Sequence, residues 1–243
     1  MKKLMITDVT RMDHGNCCIA GICQEEGNRL YRLCSPYITQ DEARSIPITV
    51  GSIFAGDFTR QNVVSGPHRE DCHWDLSYYH GIGTARELEN YFCDSSVASL
   101  EEGLGISEKG TDVAGYAGRG RSIVTIRPDT ASLHLMSPFA PGERPKLKMH
   151  FSLAGTRMQY LPVNDFRFYD ENGNVNTTMV DRANRCLAQW KYGECDFYLR
   201  VGLTRPWQGK YWLQVDGLHF FECATGDYYH QFSFSHSGLQ DVA

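Results

Sequence analysis

Residues 17–36, CCIAGICQEEGNRLYRLCSP, decide how the chain is read. Two runs of strand-forming residues, CCIAGIC and NRLYRLCSP, stand either side of a short polar link. The second run alternates apolar and polar residues and stops at Pro36, as a half-buried strand does. In the link EEGN, Gly27 and Asn28 tolerate a positive φ, so the segment predicts a tight hairpin. Its cysteines raise two competing readings, a metal site or a thiol centre. No two cysteines in the chain have the C-x-x-C spacing with which one turn offers two thiolates to zinc. Cys17, Cys18, Cys23 and Cys34 therefore read as small hydrophobes filling a core.

Outward from this hairpin the strand signals continue. KLMITDVT (3–10) precedes it and IPITVGSIFAGDF (46–58) follows as one or two strands. Residues 60–83 read as a long irregular region, and 84–104 contain a helix on the spacing of Leu88, Tyr91 and Phe92. GRGRSIVTIRP (118–128) and ASLHLM (131–136) return to strands. SPFAPGERPK (137–146) carries three prolines and a glycine, the strongest boundary signal in the chain. Beyond it the same rhythm recurs: KLKMHFSLAG, RMQYLPVNDF, a helix over 177–191, then DFYLRVGLTRPW and KYWLQVDGLHFF. Met179, Ala183, Cys186, Leu187 and Trp190 form that helix's apolar stripe. The expectation is a mainly β protein with few helices, divided into 1–140 and 146–243. Each part offers about five strands and one helix, as two OB-like five-stranded barrels in tandem would. A pair of SH3-like barrels or a split β-sandwich gives nearly the same pattern.

ITDVTRMDHGNCCIAGI followed by RLYRLCSP resembles the N-terminal signature of the dual OB-containing domain proteins, and LRVGLTRPWQGKYWLQVDGLHFF resembles that family's second-barrel hairpin. The matching positions are Cys18 to Gly21, Arg32, Leu203 to Trp207 and Trp212 to Val215. RLCSP departs from the tighter Arg-Pro ending of that pattern, which touches the role of Arg32. The resemblance implies two OB barrels in a bacterial or phage protein, binding nucleic acid in a defence or mobile-element setting, with no established catalysis.

Length, composition and charge exclude several classes. A chain of 243 residues with 42% apolar content buries a real core and is not disordered as a whole. With 29 acidic against 24 basic residues there is no global basic field, which leaves room only for a local basic groove. The start MKKLMITDVTRMDHG is no signal peptide, and no apolar run is long enough to span a membrane, so the expected compartment is the cytoplasm and no membrane partner is expected. Scattered cysteines in a reducing compartment predict no disulfides. The nearest approach to a metal site is HREDCHWD, with His68, Cys72 and His73; adjacent Cys72 and His73 point opposite ways on an extended chain, so a polar loop is the preferred reading and no metal or other cofactor is expected. Hydrolase and phosphate-loop motifs are absent. Glu143 and Lys146 straddle Pro145 and lack the strand-face alternation of a metal-dependent nuclease, so catalysis is not expected.

The strand faces carry the functional signal. In DFYLRVGLTR, Phe197, Leu199, Val201 and Leu203 alternate to the core, leaving Tyr198, Arg200 and Gly202 on the other side. In KYWLQVDG, Trp212, Gln214 and Asp216 are the outward set. If these strands pair, Tyr198, Arg200, Trp212 and Gln214 share a face that could stack bases, hold phosphate and read a base edge, with Gly202 admitting a ligand backbone. The competing reading packs this face on the 177–191 helix or on the other barrel. Tyr31 and Arg32 are the equivalent candidates in the first half; Arg205 and Trp207 flank the second hairpin; Arg119 and Arg121 in GRGRS read as a solvated turn or as phosphate contacts. The function expected first is nucleic-acid binding, to a single strand or a structured end. The alternatives are a protein-interaction adaptor or inhibitor anchored by exposed aromatics such as Trp74, Tyr78 and Tyr79, and a nucleotide or signalling molecule held between the barrels.

Overall fold

The computed structural model describes residues 1–46, 48–61, 66–106, 112–114, 121–138 and 142–222. β1 (Lys2–Arg11), β2 (Asn16–Cys23), β3 (Arg29–Thr39), β4 (Ser52–Arg60) and β5 (Asp71–Ile82) close into a barrel in the order β1-β2-β3-β5-β4. Every neighbouring pair is antiparallel except β3 with β5. The opening hairpin is β2–β3: Gly27 (φ 68°) and Asn28 (φ 60°) take the left-handed conformation that their residue types permit. Ile19, Leu33, Phe54 and Phe58 fill the barrel, and Cys17, Cys23 and Cys72 pack among them. Residues 71–82 are a strand, not part of an irregular region. The sequence hides this because Tyr78, Tyr79 and Ile82 are exposed while Trp74 and Leu76 are only partly buried, so no clean alternation is visible. A short helix α1 (Gln40–Ser45), closed by a Thr39/Glu42 capping box, links β3 towards β4.

Helix α2 (Ala85–Ser95), capped in the same way by Thr84 and Glu87, leads out of the barrel to β6 (Ser96–Val97), α3 (Leu100–Leu104) and β7 (Asp112–Ala114). Then come β8 (Ile123–Ile126), β9 (Thr130–Met136), β10 (Lys146–Leu153), β11 (Thr156–Pro162), α4 (Thr177–Lys191), β12 (Cys195–Leu203) and β13 (Lys210–Glu222). They form two sheets, β11-β10-β9 and β6-β8-β12-β13-β7. The order of the first barrel recurs across them. β8 and β9, separated only by Arg127–Asp129, act as one bent first strand; β9 pairs β10, β10 pairs β11, β12 pairs β13, and β12 returns to β8. A parallel bridge between Val163, just after β11, and Val215 of β13 stands where β3 meets β5 in the first barrel. The helix α4 occupies the slot of α1, between third and fourth strands, and buries Met179, Val180, Ala183, Cys186 and Leu187.

The Pro/Gly-rich segment around 138–146 is thus not a domain boundary. It connects β9 to β10, which pair from Lys146↔Met136 to Ser152↔Thr130, so the first strand of the second unit lies before the division expected at 140. Proline and glycine mark a loop of either kind and cannot say which.

The two units share a buried seam. Met5 and Ile22 of the first, Leu88, Tyr91 and Phe92 of α2, and Tyr198 and Phe221 of the second form one apolar cluster. Beside it the Arg200 guanidinium meets both carboxylate oxygens of Asp8, at 2.8–3.1 Å, and donates to Thr125 Oγ1. Glu70 accepts from the backbone N–H and hydroxyl of Ser122, and the His68 ring bonds the Leu203 carbonyl.

Candidate functional site

Next to this seam lies a cleft of about 1050 Å³ between the two units. From the first unit it takes the end of β1 and the following turn (Thr10, Arg11, Met12, His14), then Asn16 and Cys18 of β2 and Arg32 and Tyr37 of β3. From the second it takes the β9–β10 loop and the start of β10 (Glu143, Arg144, Lys146, Lys148), with Pro162 and Asn164. The β12–β13 loop adds Thr204 to Trp207, and β13 adds Trp212 and Gln214. Each unit therefore contributes its first–second strand loop and the adjoining strands, the surface that OB folds use for ligands.

The lining is basic although the protein is not. Among the described residues that line it, Arg11, Arg32, Arg144, Lys146, Lys148 and Arg205 face one carboxylate, Glu143, in a chain of net charge −5. Asp71 ties two of the arginines together: Arg32 Nε donates to its Oδ1 at 2.6 Å and Arg205 Nη2 lies 2.6 Å from its Oδ2. Burial opposes the charge on Arg32, but Cys18, Glu70 and Asp71 outweigh it and raise its pKa, so it stays a cation. Its Nη2 is only 2.5 Å from Asp71, yet at an angle that makes no hydrogen bond. Arg205 reaches the Tyr37 hydroxyl as well, and 40% of its side chain is exposed. Arg11 lies over the Tyr169 ring, 4.5 Å from its centroid. Lys148 has its pKa lowered by burial and by Lys146.

Aromatic surface accompanies the charge. Trp207, 60% exposed, and Trp212 stand with ring centroids 6.0 Å apart. Trp212 Nε1 is buried without a partner among the described residues, an N–H that an oxygen of a bound molecule would satisfy. Gln214 accepts from Asn164 Nδ2 at 2.8 Å and donates to Asp216 Oδ1 at 2.6 Å, which fixes the orientation of its amide. Burial and Asp8 push the Asp216 carboxyl up to about 7.

Five of the sequence-selected residues, Arg32, Arg205, Trp207, Trp212 and Gln214, come together here. Others do not. Tyr31 is 2% exposed inside the first barrel, its hydroxyl bonded to Glu26. Tyr198 and Arg200 lie on the predicted face, but that part of the face is covered by α2 and the first barrel, not by the 177–191 helix. Gly202 admits no ligand. A Cβ there would sit 1.8 Å from Asp216 Oδ2, because a bulge between Arg200↔Gly217 and Val201↔Val215 turns that carboxylate onto it. Arg121 is exposed and outside the cleft, and Arg119 lies outside the described residues.

The candidate metal residues are occupied otherwise. His68, its pKa lowered to about 3 by burial and by Arg32 and Arg205, is neutral against Leu203; the Cys72 thiol, pushed up to about 12 by burial, donates to the Arg32 carbonyl; His73 is exposed. Among the described residues no three His, Cys, Asp or Glu side chains are grouped to hold a metal, and no helix is long and apolar enough to cross a membrane. Sequence reasoning missed Arg11, Tyr37, Arg144 and Lys148, which no single strand pattern joins, and weighed Lys146 only as part of a nuclease.

The chain has no match among curated proteins. Residues 2–218 match the model described as the dual OB-containing domain, and the chain belongs to that family.

Proposed function

We propose that the protein binds nucleic acid, as a single strand or a structured end, in the cleft between its two barrels. The observation that carries this is the lining: among the described residues, six Lys and Arg side chains, two of them paired with the buried Asp71, against one Glu, beside the Trp207–Trp212 pair, in an otherwise acidic chain. Cations follow a phosphate backbone, exposed rings stack bases of any identity, and an oriented amide such as Gln214 reads a base edge. A nucleotide or signalling molecule held between the barrels is the second reading. The cleft volume favours it too, being near the upper end of the roughly 300–1,000 Å³ of small-molecule sites.

Binding of labelled single-stranded and duplex oligonucleotides over a salt series tests the proposal. Single strands are expected to bind with log K falling by about 0.7 per log unit of salt for each phosphate contacted. Lys148→Gln lowers that slope, and Trp212→Ala weakens binding by about 1–3 kcal/mol at every salt concentration. Tight, nearly salt-independent binding of a mononucleotide with no oligonucleotide binding favours the second reading. Absence of both sinks the proposal.

A further inference from the structure

The wall of the cleft continues beyond its mouth along β10. Lys146 and Lys148 line it, and the next outward residue on β10 is His150. Lys148 pairs across the ladder with His134 of β9, whose ring lies 4.1 Å from that of His150. On the other side Tyr160 of β11 meets His150 edge-on at 4.5 Å. Three rings on three adjacent strands thus make a shelf that begins where the lysines end.

Two features distinguish this shelf from ordinary surface. The strands TASLHLM, KLKMHFSL and TRMQYLP contain no Asp or Glu, in a chain of net charge −5. Burial, His134 and Arg157 all lower the His150 pKa, and burial with Lys146 lowers that of Lys148. Second, Tyr160 is held at φ 58°, a left-handed conformation costly for a tyrosine, at the bulge between Met149 and Phe151, and the residue is 53% exposed. A bulge re-aims a side chain, and here it sets an aromatic ring beside two others. His150 Nε2 is buried with no partner among the described residues.

We infer that the bound nucleic acid is a single-stranded chain that leaves the cleft past Lys146 and Lys148 and runs over the His134–His150–Tyr160 shelf, where a base stacks. This rests on the nucleic-acid reading of the cleft and extends it: the ligand is a polymer longer than the cleft holds, not a mononucleotide.

The test is fluorescence anisotropy of the full chain with labelled single strands of increasing length, from about 4 to about 16 nucleotides. Affinity is expected to keep rising after the shortest bound oligomer. His150→Ala and Tyr160→Ala are expected to weaken the long oligomers about tenfold while leaving the shortest unchanged. Tyr160→Asn, a residue suited to the left-handed conformation, reads the same effect should either alanine variant fold poorly. Identical length profiles in wild type and variants overturn the shelf and leave the cleft standing. No binding of any length overturns both.

Discussion

Arg200 and Trp212 share one side of the β12–β13 pair, and truncating them is expected to have opposite consequences. Arg200→Ala leaves Asp8 buried, 1% exposed and unpaired, so thermal or denaturant unfolding should show a loss of about 3–5 kcal/mol. Trp212→Ala, at the half-covered end of the same face, should change ligand affinity far more than stability. Equal losses of stability in both would show that the face is buried throughout. Asp216 adds a dependence on pH. Its folded pKa of about 7 lies above the ordinary 3.8, so the native state holds more protons than the unfolded chain between those values. Stability falls as pH rises through that window, and the cost is fully present above it. Asp216→Asn should therefore melt higher than wild type at pH 8, with the gap closing towards pH 5; a variant that is less stable at both would contradict the burial of a charged carboxylate there. The sequence showed which residues share this face through plain alternation. It could not show that α2 and a strand nearly two hundred residues away cover Tyr198 and Arg200, since coverage belongs to the tertiary structure.

At the scale of elements, helix α4 and the β2–β3 hairpin were legible because each carries its own local signal: an apolar stripe in one, Gly27–Asn28 in the other. The bent strand β8–β9 was not. Pro128 interrupts it, and the break reads as an end when it is a corner of one barrel strand. The bulge at Asp216 was equally invisible, and it makes Gly202 a packing residue. Gly202→Ala would drive a methyl group into the Asp216 carboxylate, with a cost of about 1–3 kcal/mol read as a lowered melting temperature. An alanine variant as stable as wild type would mean that the bulge can move aside freely.

Over the whole molecule, the proposed site rests on two units joined at a buried seam. Asp8 and Glu70 of the first take partners from Arg200 and Ser122 of the second, and Asp71 holds Arg205 on the cleft wall. The proposed binding surface draws about a third of its lining from the first unit and the rest from the second, so no single stretch of sequence displays it: Trp207, Trp212 and Arg205 could be picked out singly while Arg11, Tyr37 and Lys148 could not. The acidic net charge hid the same feature, because a sum over the chain says nothing of where the lysines converge. Photocrosslinking of a single strand carrying iodouridine, followed by peptide mapping, tests the shared cleft most directly. The account predicts cross-links at Trp207, Trp212 and Tyr37, on both barrels, suppressed by unlabelled single strand. Cross-links confined to the exposed Tyr78–Tyr79 side of the first barrel, with none at the cleft, would contradict it.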